Sequence, residues 1–259
     1  MFRKKKLQIQ PTNLSNISNE ILHQRGNIDC SFPSDFSADE RKNIEFVKAF
    51  TMTSYQRLVT LSRSIQYIEE FNIEGDIVEC GVWKGGSIMM AALKLIELKS
   101  LNRDLFLFDT YEGMTIPTSK DKAINGEYAI DLFNQQDKTN PNNSWCFSPL
   151  QEVKKNVYST NYNKDKIHFI KGKVEDTLPH DSIRKVAILR LDTDWYESTL
   201  HELETLYDKV VNGGIIIIDD YGHWSGCKKA VDEFIRKRNL KIFLNRIDYS
   251  GRLLIKNSL

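Results

Sequence analysis

Two pairs of aspartates close two apolar runs of this chain, Leu191-Asp192-Thr193-Asp194 and Ile218-Asp219-Asp220-Tyr221. Alternate residues of an extended strand share a face, so Asp192 and Asp194 can enter one crevice. If the two runs are neighbouring strands, Asp219 and Asp220 reach the same sheet edge. Carboxylates gathered this closely repel one another unless a cation lies among them, and their hard oxygens suit Mg²⁺, Mn²⁺ or Ca²⁺ rather than zinc. A division of labour follows: Asp192, Asp219 and Asp220 hold the ion, and Asp194 takes a proton from a hydroxyl that the ion acidifies. A single acid in such a place more often caps the next helix, and Asp194 and Asp220 both precede helical patterns. Two pairs at two strand ends favour the metal. His223, beside the second pair, is an alternative base or a substrate contact. His168 falls in a strand pattern and His201 in a helical one, which suits packing, and His23 and His180 carry no signal. Trp195, Tyr196, Tyr221 and Trp224 surround the acids and offer flat faces to a sugar ring or to the core.

The stretch Asp76–Ser87, DIVECGVWKGGS, is the second place where residue types and spacing suggest chemistry. An apolar run ends in Glu79, turns on Gly81, Gly85 and Gly86, and opens an apolar helical segment, Ile88–Leu98. Glycines let the backbone approach a nucleotide-like ligand, and a helix N-terminus faces it with free N–H groups. The spacing is E-x-G-x-x-x-G-G, so the dinucleotide fingerprint G-x-G-x-x-G is not met. The pattern fits the first loop of S-adenosylmethionine (SAM)-dependent methyltransferases better. One strand further on, Phe108-Asp109-Thr110 places an acid where a ribose diol is usually bound.

The elements that must position these residues follow from periodicity. The continuous apolar runs Ile77–Cys80, Leu105–Phe108, Ile167–Ile170, Val186–Leu191 and Ile215–Ile218 indicate strands covered on both faces, hence a parallel sheet. Ile242–Leu244 and Leu253–Ile255 are joined by too short a stretch for a crossover helix, so they predict an antiparallel hairpin at the sheet edge. Leu58/Leu61/Ile65/Ile68, Leu200/Leu203/Leu206/Val210 and Cys227/Ala230/Val231/Phe234/Ile235 follow helical spacing. Ser37-Ala38-Asp39-Glu40 is a capping-box pattern. The expected fold is α/β and Rossmann-like: a mostly parallel seven-stranded sheet, helices on both faces, and a C-terminal antiparallel hairpin. Residues 1–36, polar and weakly periodic, read as an N-terminal arm and 37–259 as one domain. Within it, residues 115–149 are long, polar and interrupted by Pro117 and Pro141, with one short helix expected at Tyr128–Phe133. Such a segment at the ligand edge of a sheet reads as a substrate lid.

Composition narrows the classes. The chain has 259 residues and a formal charge of +1. Its charges are interspersed, which argues against nucleic-acid binding. The basic run Arg3-Lys4-Lys5-Lys6 reads as a solvated end. The four cysteines show no C-x-x-C pair, which suits a reducing cytoplasm and neither a disulfide framework nor a zinc site. No apolar run reaches membrane-spanning length.

With these residues assembled, the chain resembles the TylF/MycF/NovP-type (macrocin-type) O-methyltransferases from about Thr51 onward. The motifs that carry the resemblance are ECGVWKGGS (79–87), FDTYEGM (108–114), LDTDWYES (191–198) and IDDYG (218–222), continued by Trp224, Gly226 and AVDEF (230–234). The resemblance implies a Mg²⁺-dependent transfer of methyl from SAM to a hydroxyl, often of a sugar in a glycoside or glycan. It implies metal ligands at Asp192, Asp219 and Asp220 and a general base at Asp194. SAM contacts would fall at Met52, Thr53, Glu79, Gly81, Gly85, Ser87 and Asp109, and at Glu175 or Asp176 after the third strand. It also implies a homo-oligomer whose arm and lid help close the site. Two other readings compete: a catechol-type or other small-molecule O-methyltransferase, and a SAM-binding protein without turnover. The second has no use for a base beside a metal.

Overall fold

Strand propensity and burial coincide in the middle of the chain. The computed structural model describes residues 32–135 and 145–257. Its parallel strands are β1 (Asp76–Cys80), β2 (Leu105–Asp109), β3 (Ile167–Lys171), β4 (Val186–Leu191) and β5 (Val210–Ile218). With β6 (Asn245–Arg246) and β7 (Arg252–Ile255) they form a seven-stranded sheet in the order β3-β2-β1-β4-β5-β7-β6. β7 runs antiparallel to both β5 and β6. The Rossmann-like outline expected from the sequence is therefore present, with its C-terminal antiparallel pair.

Two boundaries differ from the periodicity. The first hairpin strand is Asn245–Arg246, not Ile242–Leu244. Residues 242–244 carry no regular secondary structure and pair with no strand, and Phe243 is 84% exposed. Val210 opens β5 rather than closing the preceding helix, because a 3-10 turn at Tyr207–Lys209 ends that helix early.

The helices are α1 (Ala38–Val47), α2 (Tyr55–Glu70), α3 (Gly86–Glu97), α4 (Ala129–Gln135), α5 (Leu150–Tyr158), α6 (Val174–Thr177), α7 (Tyr196–Leu206) and α8 (Ser225–Lys237). Ser54 caps α2 by accepting the Arg57 N–H, and the stripe Leu58, Leu61, Ile65 and Ile68 is buried. In α3 every residue from Ile88 to Ala92 is buried, as its nearly continuous apolar sequence requires. Leu189 and Ile216 meet across β4 and β5 with no exposure. Truncating either to alanine would cost about 2–5 kcal/mol. Among the described residues no helix is long and apolar enough to cross a membrane.

The chain divides into two compact units, residues 1–41 and 42–259. In the first, the expected capping box forms: Ser37 N–H donates to Glu40 Oε2 at 2.7 Å and Glu40 N–H to Ser37 Oγ at 3.1 Å. The rest of the expected arm, residues 1–31, lies outside the described residues, as do residues 136–144 of the expected lid.

In the second unit, chain order reverses beside β1, since β2 and β3 extend the sheet one way and β4 and β5 the other. Such a switch point opens a crevice at the carboxyl ends of β1 and β4. Gly81 closes that gap: a Cβ on it would lie 2.0 Å from the Asp192 carbonyl oxygen, and its φ is +84°. Both close approach and backbone sign require glycine here.

Candidate active site

A cavity of about 510 Å³ fills the crevice. Its floor is the glycine turn after β1. Gly85 is left-handed at the start of α3, and Ser87 in the first helical turn faces the cavity. Asp109 organises this turn from β2: its Oδ2 accepts the N–H groups of Val82 (2.6 Å) and Trp83 (3.0 Å), and its Oδ1 that of Tyr111 (2.7 Å). The acid expected to meet a ribose thus spends most of its acceptor capacity on holding the loop. Burial raises its pKa against those hydrogen bonds.

Glu79 is 2% exposed and lines the cavity. Its Oε1 accepts from Arg190 Nη1 at 2.6 Å, and its Oε2 is buried without a hydrogen-bond partner. Burial pushes its pKa up to about 7, against the pull of Arg190. Met52 and Thr53 enter from the segment before α2, where Gly86 packs against the Phe50 carbonyl. Glu175 lines the far end, whereas Asp176 faces solvent and does not.

At the ends of β4 and β5, Asp192, Asp194 and Asp220 each present an oxygen, and the three oxygens lie within 4.8 Å of one another. Asp220 Oδ2 is buried without a hydrogen-bond partner. Burial, reinforced by the neighbouring carboxylates, holds Asp192 and Asp220 well above the usual carboxylate range and lifts Asp194 to about 7. Asp219 stands behind this group. Its carboxylate is ion-paired to Arg57 Nη1 and, at 2.8 Å, to Arg190 Nη2, and it accepts the Thr53 hydroxyl at 2.8 Å. His223 also lines the cavity, but its ring packs edge-on to Trp224, and its Nδ1 lies 3.4 Å from the Tyr249 hydroxyl. Burial lowers its pKa.

The sequence reading missed the two guanidiniums. Arg190 bridges Glu79, Asp192 (2.7 Å) and Asp219. Arg57 joins Asp219 to Asp248, and Ser54 Oγ donates to Asp248 at 2.6 Å. Arg190 did leave a signal: it is the one charge inside the apolar run Val186–Leu191.

The model of the macrocin O-methyltransferase (TylF) family matches residues 3–256. The chain belongs to that family. It is 33% identical over 205 residues to the demethyldecarbamoylnovobiocin O-methyltransferase of Streptomyces niveus, covering 78% of this chain and 74% of the relative. Identity to an 8-demethyl-8-(2,3-dimethoxy-alpha-L-rhamnosyl)-tetracenomycin-C 4'-O-methyltransferase of Streptomyces olivaceus is 30%, over 78% and 74% of the two chains. The solved structure of the O-methyltransferase NovP superposes with a TM-score of 0.70 at 30% identity, covering 81% of this chain and 83% of that one. CalS11, a calicheamicin methyltransferase, shares the fold at 15% identity, with a TM-score of 0.59 over 98% and 99% of the chains.

The protein is therefore a SAM-dependent O-methyltransferase. Phe133 and Trp145 of the expected lid pack with Trp195 and Trp224, and of these Trp145 and Trp224 line the cavity. The Trp195 indole N–H donates to the Thr115 carbonyl at 3.0 Å. These contacts seat the described part of residues 115–149 over the acids.

Proposed function

We propose that this methyltransferase moves a methyl group from SAM to a sugar hydroxyl of a glycoside or glycan with the help of a divalent cation, Mg²⁺ in the first instance. The observation that carries this reading is the trio Asp192, Asp194 and Asp220, with oxygens within 4.8 Å and Asp220 Oδ2 unpartnered. The wider cavity agrees: its lining holds seven carboxylates (Glu79, Asp109, Glu175, Asp192, Asp194, Asp219, Asp220) and three cations (Arg57, Lys173, Arg190). Such an excess of carboxylates over cations fits a site for a sulfonium cofactor and a hard metal ion, either of which would favour their ionised forms.

When bound, SAM supplies an electrophilic methyl group, and the ion lowers the pKa of a hydroxyl beside it. Asp192 and Asp220 would hold the ion. Asp219 would join them, since a carboxylate keeps lone pairs free while it is ion-paired. Asp194, near pKa 7, is matched to accept a hydroxyl proton at neutral pH. Glu79, Gly81, Ser87 and Asp109 would seat SAM at the β1 turn, with Met52, Thr53 and Glu175 around it; Gly85 lies outside the cavity lining, against Val157, and would only shape the turn. Asp176, outside the lining, would act only through the α6 backbone. Trp145 and Trp224, which line the cavity, suit the faces of a sugar ring. The tetracenomycin relative, whose name carries a rhamnosyl group, supports the same choice. A cytoplasmic homo-oligomer is the form we expect, and the buried free thiols Cys80 and Cys227 suit a reducing compartment.

The test is calorimetry of the metal-stripped protein with SAM, then with Mg²⁺, followed by a mass-spectrometric screen of rhamnoside, other glycoside and catechol acceptors. A Mg²⁺ isotherm and a +14 Da glycoside support the reading; metal-independent methylation of catechols alone would sink it.

A further inference from the structure

The turn that carries Asp192 and Asp194 is held by an acid that has no part in the chemistry above. Glu202, in the second turn of α7, has no exposure and does not line the cavity. Its Oε1 accepts the Thr193 hydroxyl at 2.9 Å, and its Oε2 is buried without a hydrogen-bond partner. A buried acid with one polar contact is costly to keep unless the contact has a use. Burial raises its pKa well above the usual carboxylate range.

Thr193 lies between the two aspartates, and Asp194 adopts φ +67°, a left-handed conformation uncommon for residues with side chains. The turn is tied by backbone bonds: Asp192 N–H to Cys80 O at 2.8 Å and Trp195 N–H to Thr193 O at 2.8 Å. Ser198 Oγ adds a longer bond to Thr193 O at 3.4 Å. The Thr193 side chain is tied only to Glu202 among the bonds described for these residues.

We propose that Glu202 is a positioning residue: by holding Thr193 it fixes the turn that brings the Asp192 and Asp194 carboxylates to a common point. The proposal rests on the reading of those acids as metal ligand and proton acceptor. Removing such outer contacts typically weakens metal binding 10- to 100-fold.

The test compares Glu202→Leu, Glu202→Gln, Thr193→Val and Thr193→Ser in the full-length protein. Mn²⁺ affinity is read by electron paramagnetic resonance without SAM or acceptor, and melting temperature alongside it. Glu202→Leu and Thr193→Val should each weaken Mn²⁺ binding by about tenfold, and the double variant should be no worse than either. Glu202→Gln and Thr193→Ser, which keep the hydrogen bond, should stay within about twofold of wild type. A purely structural role would track melting temperature instead and would not be rescued selectively by glutamine. Unchanged Mn²⁺ affinity in Glu202→Leu, or a Glu202→Gln as weak as Glu202→Leu, overturns the proposal. Should wild type bind no Mn²⁺, the metal reading fails, and kcat at saturating SAM decides the positioning role by the same pattern of variants. Asp194→Asn separates the readings, since full turnover in that variant removes the proton acceptor and leaves the effect of Glu202 on Mn²⁺ standing.

Discussion

Arg190 and Glu79 form an ion pair at 2.6 Å with side chains 4% and 3% exposed. One guanidinium thereby ties the acid at the end of β1 to Asp192 and Asp219 after β4 and β5. Removing it strands the buried Glu79, while Asp219 keeps Arg57 and Asp192 is part-exposed; breaking a buried pair in this way costs about 3–5 kcal/mol. Arg190→Met should lower the melting temperature sharply. Because Glu79 and Asp219 would then relax apart, SAM affinity should fall as well, by at least about tenfold. A variant with wild-type melting and SAM titration would show that the three acids find other partners.

The carboxylates should separate by task. Asp192→Asn and Asp220→Asn each remove a charged oxygen from the 4.8 Å group and should abolish measurable Mg²⁺ binding. Asp194→Asn should keep Mg²⁺ binding within about tenfold while lowering kcat by 10²–10⁴, the usual worth of a general base. Asp219→Asn reports on the arginines too, so both metal affinity and melting temperature should drop. Calorimetry and steady-state kinetics on the four variants check this; metal binding that disappears in Asp194→Asn alone would reassign the base as a ligand.

Glu79 and Asp194 both titrate at about 7 in the folded protein, against about 4 in the unfolded chain. Between those values the folded state holds more protons, so stability falls as pH rises. The contribution is complete below about pH 4 and lost above about pH 7. In metal-free protein the melting temperature of wild type relative to Asp194→Asn should therefore decline across that window. Saturating Mg²⁺ should flatten the decline by favouring the ionised form. A difference that stays level from pH 4 to 7 without metal would mean that Asp194 ionises normally.

Much of this site was legible before the fold was known, because strand ends announce themselves. Apolar runs such as Ile215–Ile218 fix the strands, and an acid just past each run must lie at the carboxyl edge. What stayed hidden depends on contacts between distant segments. Asp219 and Asp220 are adjacent in sequence, yet Asp220 joins the carboxylate trio while Asp219 turns to Arg57, whose place beside it is set by the packing of α2. Asp109 shows the same limit. Its position at the end of β2 was readable, but not that three backbone N–H groups would claim it. The late start of β6 has a simpler cause: residues 242–244 are apolar enough for a strand but lack a partner to bond.

Asp121 ties the described part of the expected lid, residues 115–149, to the framework. It has no exposure; Oδ2 accepts the Thr118 N–H (2.8 Å) and hydroxyl (2.9 Å), and Oδ1 accepts the Tyr196 N–H at 2.9 Å. Trp195, at the N-cap position of α7, offers no side-chain cap, so a lid residue caps the helix that follows Asp194. Gly226 at the start of α8 makes room, since a Cβ there would lie 1.9 Å from Asp121 Oδ1. Asp121→Ala should cost about 1–2 kcal/mol through the lost cap. Its larger effect should be local: amide hydrogen exchange across residues 115–132 should accelerate while β1 and β4 stay protected. SAM affinity should remain within about twofold, because Asp121 contacts Thr118, Tyr196 and Gly226 and none of the residues proposed to seat SAM, whereas KM for the acceptor should rise. Gly226→Ala should reproduce this pattern by pushing Asp121 away. If exchange in the segment is unchanged in both variants, the aromatic contacts of Phe133 and Trp145 hold the lid by themselves.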